Sequence, residues 1–290
     1  MCVAVFSVIF EANLKYFDDF IISLNSQKYK SFELFLINDG LSQNLLSTKL
    51  KQANFPVIVY NLNAKLTPVK IRELGFRELS KKDYKKIIFA DTDDMMSSNR
   101  IGRSVEMLDK YPIVFTDITL VDQNANIIKS AIWKDRLNDI KVDRIFLYDK
   151  NVIGLGNSAI RGAYLQNIEF PESIIAVDWY FFSIILSKQQ AGFISDAFTF
   201  YRQHVENTIG LKSLSNSRVE FILDVKERHY TEMAIISPEY LEYLDEIKYK
   251  MNLLSKGYKA VDEINKNNIN FFWWEETNYI KYERNTIDKV

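Results

Sequence analysis

Three carboxylates, Asp91, Asp93 and Asp94, fall within four positions of the segment "KKIIFADTDDMMSSNRI", directly after the apolar run Ile87 to Ala90. Carboxylates this close repel one another unless a cation sits among them or one is protonated. A hard divalent cation is the natural resolution. Mg²⁺ is commonly held by one or two carboxylates together with substrate phosphates, so the cluster points to a metal and a phosphate-bearing ligand at once. Alternate residues of an extended chain share a side. Asp91 and Asp93 therefore converge if the chain stays extended past Ala90, with Asp94 turned away or opening a turn. Two other readings fit the same residues. One is a solvated acidic turn at a strand end. The other is the phosphatase motif whose first Asp is a nucleophile, but Met95 stands where that motif has Thr or Val, and the segment follows three strand–helix units instead of the first strand.

Composition narrows what can accompany the carboxylates. The chain has a single cysteine, Cys2, and only two histidines, His204 and His229, so disulfide frameworks and thiolate or multi-histidine metal sites are excluded within one chain. A metal must be held largely by oxygen, which favours Mn²⁺ or Mg²⁺ over zinc. A net charge of −1 gives no electrostatic basis for a nucleic-acid partner. At 290 residues and 47% hydrophobic content the chain can bury a sizeable core as one large domain, or as one domain with an appendage. The apolar N-terminus "MCVAVFSVIF" lacks a basic leader and a cleavage site and reads as a strand. No run reaches the ~18–20 apolar residues of a membrane span. The expectation is a cytoplasmic protein with at most peripheral contact at the inner face of a membrane.

The elements that must position the carboxylates alternate in period. "VAVFSVIF" (3–10), "FELFLINDG" (32–40), "FPVIVY" (55–60) and "KIIFA" (86–90) are short apolar runs, as in strands covered on both faces. Between them, Leu14, Phe17, Ile21 and Leu24 mark one amphipathic helix, and "VKIRELGFRELS" (69–80) another. "NRIGRSVEMLDKY" and "PIVFTDITLVD" continue the alternation. The pattern predicts an α/β fold with a mainly parallel central sheet and helices on both faces. Ligands in such sheets lie beyond the carboxyl ends of the strands, where Asn38, Asp39 and Asp91 to Asp94 all fall. "GLGNSAIRG" (154–162) has neither the P-loop nor the dinucleotide spacing; it reads as a strand with flexible turns. Beyond Gly210 the pattern is helical. Tyr240, Leu244, Ile247, Met251, Leu254, Tyr258 and Val261 form a heptad-like seam that suits either packing on its own domain or a homodimer contact. The tail "INFFWWEETNYIKY" is too rich in aromatics for a disordered terminus.

Four segments, in order, resemble the family 2 glycosyltransferases, inverting enzymes of the GT-A (Rossmann-like) fold that use nucleotide-sugars. The likeness covers about residues 5 to 210. "FSVIFEANLKYFDDFIISLNSQKYKSFELFLINDG" is similar to the family's opening strand, helix and second strand, "VKIRELG" to its Arg-Asn-x-Gly segment, and "FADTDDMMSSNRI" to its DxD motif. "IIAVDWYFFSIILSKQQAGFISDAFTFYRQHVENTIG" resembles its Asp-Trp helix start followed by Tyr-Arg-x-His-x-x-Asn. The resemblance implies a GT-A catalytic domain over 1–210 and a helical C-terminal extension over 211–290. It implies nucleotide contacts at Asn13, Asp39, Arg72 and Asp91, a metal at Asp93, Asp91 and His204, and Asp178 as catalytic base. Arg202, His204, Asn157, Ser158 and Trp179 become candidates for the diphosphate or acceptor. The implied reaction is metal-assisted, inverting transfer from a nucleotide-sugar, a UDP-sugar favoured over GDP- or dTDP-sugars, to a hydroxyl of a glycan or glycolipid. The sequence departs from the family at Ala12, Leu41, Glu73, Ser98 and Val177, and these departures leave open a catalytically silent nucleotide- or sugar-binding protein on the same fold. Asp178 also suits a simple helix N-cap, and Asp39 a simple turn former.

Overall fold

A computed structural model describes residues 2–137, 141–204, 213–258, 260–267, 277 and 280. The chain opens with β1 (Val3–Phe10), α1 (Phe17–Asn25), β2 (Glu33–Asp39), α2 (Gln43–Leu50), β3 (Val57–Asn61), α3 (Pro68–Ser80) and β4 (Lys86–Phe89). It continues through β5 (Met95–Met96), α4 (Arg100–Met107), β6 (Ile113–Val121), β7 (Ile127–Lys129), β8 (Lys141–Val142) and β9 (Ser158–Arg161). The remainder is α5 (Val177–Leu186), β10 (Ala191–Arg202), α6 (Asn216–Ile236), α7 (Tyr240–Ser255) and α8 (Ala260–Asn267).

All the strands join one sheet in the order β3-β2-β1-β4-β9-β6-β10-β5, with β7 beside β6 and β8 beside β10. The expected parallel arrangement holds across β3-β2-β1-β4. Beyond β4 the sheet is mixed, because β9 runs antiparallel to both β4 and β6, while β10 is parallel to β6.

Strands covered on both faces read as continuous apolar runs, and β1 shows why. Ala4, Phe6 and Val8 point into one core with α3 and α5, whereas Val3, Val5 and Ile9 point into the other with α1 and α4. Helix α3 starts with Thr67 as N-cap, accepting from the Lys70 N–H at 3.3 Å, and Pro68 in its first turn. Gly75 lets α3 lie directly on the sheet. A Cβ there would stand 2.4 Å from Phe6 Cζ and 2.9 Å from Ile37 Cδ1. That close approach fixes Arg72, one turn earlier, over the strand ends.

The C-terminal helices share the α3-side core. Tyr240, Leu244 and Ile247 of the heptad-like seam are buried against it, so they are engaged within the chain and do not form a surface for a second copy. Gly257, at φ +86°, follows the end of α7 in the left-handed conformation that closes a helix. Most of the aromatic tail lies outside the described residues; Thr277 and Ile280, which are described, are buried.

Gly75→Ala is expected to destabilise the fold by about 1–3 kcal/mol through overpacking, because Phe6 is locked among Phe35, Phe76 and Phe89 and cannot retreat. Chemical denaturation measures this directly; an unchanged midpoint would show that α3 does not approach the sheet this closely.

Candidate nucleotide-sugar site at the strand ends

Beyond Phe89 the chain does not stay extended. The Asp94 N–H donates to the Asp91 carbonyl at 3.2 Å, closing a turn across the three carboxylates. The carboxylates of Asp91 and Asp94 face the same glycine, Gly156, where a Cβ would stand 2.6 Å from Asp91 Oδ2 and 3.4 Å from Asp94 Oδ2. Asp93 points away to His204, with Oδ2 and Nε2 3.0 Å apart.

The turn is clamped on every side. Thr92 Oγ1 donates to the Val8 carbonyl at 2.9 Å and accepts from Asn13 Nδ2 at 3.2 Å. Arg202, at the end of β10, is buried beneath it: its N–H donates to Asp94 Oδ1 at 2.9 Å and its Nε to the Asp93 carbonyl at 2.9 Å. The terminal guanidinium nitrogens donate to the Gln123 carbonyl at 2.6 Å and to Asp19 Oδ2 at 2.7 Å. The Tyr16 ring lies 4.5 Å from that guanidinium and stacks 5.6 Å from the His204 ring. An irregularity in β10 between Ile194 and Phe198 brings Arg202 here, restoring register with β6 from Asp117 onward. A second buried guanidinium, Arg100 at the start of α4, donates to the Phe89 carbonyl at 2.7 Å. Its burial lowers its pKa to about 10, against the opposing pull of Asp94 and Asp91.

A cavity of about 310 Å³ opens beside the turn and is lined by Arg72, Asp91, Asn151, Gly154, Gly156 and Asp178 among others. Arg72 reaches to 4.0 Å from Asp91 Oδ1. Asp178 stands in the first turn of α5, and its Oδ1 accepts from Asn151 Nδ2 at 3.2 Å and from the Trp179 N–H at 2.9 Å. Burial raises its pKa, and these hydrogen bonds partly offset that. Asp91 is pushed up to about 6 by desolvation first and the Asp93 charge second, with Arg72 opposing. Since 38% of the Asp91 side chain stays exposed to the cavity, a cation there would reverse part of the shift.

Asp39 ends β2 beside Phe10 of β1. The turn after it is made by Asn38, whose Oδ1 accepts from the Leu41 N–H at 3.0 Å and whose Nδ2 donates to the Leu41 carbonyl at 2.8 Å. Asp39 is therefore not the turn former, and its carboxylate stands half-buried on the strand-end edge.

Several expectations need correction. Trp179 does not meet an acceptor: it is fully buried, donates from Nε1 to the Leu147 carbonyl at 2.8 Å and stacks 3.9 Å from His229. Ser158 is buried in β9, where backbone pairing with Phe115 fixes it. Asn157 lines the cavity, but its amide holds the preceding loop: Oδ1 accepts from the Gly154 N–H, and Nδ2 donates to the Thr116 and Val152 carbonyls. Asn13 is buried and positions the carboxylate turn through Thr92. Arg202 is 1% exposed and holds the turn from behind, where no diphosphate can reach it. Asp91 does not join Asp93 and His204, and among the described residues no three His, Cys, Asp or Glu side chains converge as a metal cage. The Asp93–His204 pair nevertheless fits a divalent ion, because Oδ2 and Nε2 present two adjacent donors and diphosphate oxygens commonly complete such a shell. Tyr16, Asp19, Arg100, Asn151 and Gly156 escaped the sequence reading. None carries a local motif, and their roles arise only from contacts distant in the chain.

Residues 5–169 match the profile "Glycosyl transferase family 2". The chain belongs to that family. Its fold is shared with S. aureus TarS 1–349 in complex with UDP-GlcNAc (TM-score 0.64, 16% identity, covering 91% of this chain and 78% of that one). It is shared also with the mannosyltransferase PcManGT from Pyrobaculum calidifontis in complex with GDP-Man and Mn²⁺ (TM-score 0.56, 12% identity, 87% and 70% covered). A third, GalNAc-T7 with UDP, GalNAc and Mn²⁺, gives TM-score 0.61 at 13% identity, over 91% of this chain and 53% of that one. No curated protein matches the sequence. The family 2 glycosyltransferase is thus a GT-A protein whose strand-end edge carries the carboxylate turn.

The raised pKa of Asp91 fixes a sign. An acid titrating near 3.8 when unfolded and about 6 when folded favours the fold at low pH and loses that contribution as pH rises through about 6. Without divalent metal, the melting temperature of the wild type should therefore rise as pH falls from 7 to 5. Asp91→Asn should flatten this rise and be the more stable protein at pH 7. A wild-type stability that falls over this window would contradict the assignment.

Proposed function

We propose that this family 2 glycosyltransferase transfers a sugar, with inversion, from a nucleotide-sugar to an acceptor hydroxyl. The observation that carries the reading is a single cavity shared by Asp178, suited to a base, and by Arg72 and Asp91, suited to the donor's diphosphate edge. Inversion needs one base: Asp178 takes the proton from the acceptor hydroxyl while that oxygen attacks the anomeric carbon. The bond from that carbon to the phosphate oxygen breaks, and the nucleoside diphosphate leaves with the electron pair. Burial makes Asp178 a stronger base than an ordinary carboxylate, and Asn151 and the Trp179 N–H fix its orientation.

Asp93 and His204 would hold Mn²⁺ or Mg²⁺, which supplies charge neutralisation for the leaving diphosphate. Mn²⁺ in the PcManGT and GalNAc-T7 structures supports this choice. Asp39, with Phe10 exposed beside it, is the nucleotide-base end of the edge. UDP is the favoured nucleotide, supported by the complexes of TarS and GalNAc-T7. The acceptor is a growing surface glycan or glycolipid, and the work site the inner membrane face. No helix among the described residues is long and apolar enough to cross a membrane. Residues 1–210 form the catalytic domain and 211–290 a helical extension.

Asp178→Asn should retain nucleotide binding and lose transfer by about 10²–10⁴-fold, the usual contribution of a general base. Calorimetric binding and product assays on the same preparation read both. Full turnover by the variant would reject Asp178 as base.

A further inference from the structure

The cavity has a wall that the family match does not reach. Phe221, on α6 and well beyond residue 169, lines the same space as Asp178. Its ring is half-buried, with part packed on the core and the rest toward the cavity. The Arg218 guanidinium, one turn earlier, lies over it at 5.6 Å. Ser215 caps α6 by accepting from the Arg218 N–H at 3.3 Å, which fixes the first turn, and Phe221 follows in the second. The remaining wall near Asp178 is apolar or aromatic: Ile118, Ile175 and Tyr201. Thr199 and Tyr201 follow the irregularity in β10, and Ile118 is paired with Thr199 across the β6–β10 ladder.

Arg72 is the cation of the cavity suited to a diphosphate, with Asp91 beside it. Nearer the base, Asn151 Nδ2, the Asn157 amide and Thr199 Oγ1 are engaged within the protein, and the rest of the wall is apolar and bounded by an aromatic ring. A sugar ring has one face of C–H bonds that matches such a wall while its hydroxyls project from the rim. We propose that Phe221 is a specificity-determining residue: its ring receives the C–H face of an acceptor pyranose and so turns one hydroxyl toward Asp178. The proposal rests on the transferase reading above. It makes α6 part of the site, with the C-terminal helices completing the acceptor side that the sheet alone leaves open. An alkyl chain would also fill an apolar wall, but it would ignore the orientation that Asp178 requires.

Saturation-transfer NMR on the whole chain, with methyl hexopyranosides as probes and UDP-GlcNAc with Mg²⁺ present, tests this. The methyl glycosides should receive saturation on one ring face, and should continue to do so when UDP-GlcNAc is saturating. Phe221→Leu, which keeps apolar volume but removes the ring, should weaken that signal about three- to tenfold; Phe221→Trp should retain it. Melting temperatures of both variants within a few degrees of wild type would exclude unfolding as the cause. Equal signals in wild type and Phe221→Leu would overturn the proposal. So would loss of the signal on adding UDP-GlcNAc, which would assign the ring to the donor sugar, or saturation confined to the alkyl chain of octyl glucoside. The uridine protons in the same spectra report nucleotide binding separately, so failure of the transferase reading is distinguishable from failure of this one.

Discussion

The burial of Arg202 beneath the carboxylate turn is the constraint on which the rest of the site depends. A guanidinium that is 1% exposed must find acceptors for its donors. It finds them in the Asp93 and Gln123 carbonyls and the Asp19 carboxylate, while its own N–H holds Asp94. The carboxylate turn is thus held from the inner side by Arg202, with the buried Arg100 cation acting on Asp91 and Asp94, while Asp91 opens to the cavity on the outer side. Removing either cation would leave like charges facing one another in a poorly solvated edge, a far larger penalty than breaking a surface ion pair. Desolvation first, and the Asp93 charge second, push Asp91 up to about 6 at that edge. A site that is electrostatically unsatisfied on one side only is poised to take a cation and a phosphate there.

Glycines and irregular backbone set the shape of that edge. Position 156 must lack a Cβ, because one would lie 2.6 Å from Asp91 Oδ2 and displace that carboxylate. Gly75 lets α3 approach the sheet so that Arg72 reaches the cavity. The break in β10 returns the strand to register at Phe198, one residue before Thr199 at the cavity wall, and delivers Arg202 to its position. These devices come from separate parts of the chain and act on one small volume.

Much of this was legible in the sequence, for reasons that are physical. Strands β1 to β4 are covered on both faces, so they appear as apolar runs, and the DxD-like turn follows the last of them. Asp39, Arg72, Asp91 and Asp178 all fall on the strand-end edge because strand and helix termini locate them. What was not legible was the direction of side chains in irregular backbone. The period-two rule turned Asp94 away from Asp91, but a hydrogen-bonded turn brings the Asp94 carboxylate to the same glycine, Gly156, that Asp91 faces. Trp179 was misplaced because α5 is apolar nearly all round, and such a helix does not reveal which face meets the cavity. Arg202 and Asn13 carry functional residue types yet are buried as positioning groups, a distinction that depends on contacts distant in sequence.

The central claim is that the turn from Asp91 to Asp94 is a metal and diphosphate edge, and calorimetric titration of UDP into the wild-type chain with and without Mn²⁺ tests it most directly. Binding that strengthens markedly with Mn²⁺, and loses that dependence in Asp93→Asn, is the predicted result. No binding under either condition, or equal binding with and without the metal, would contradict it.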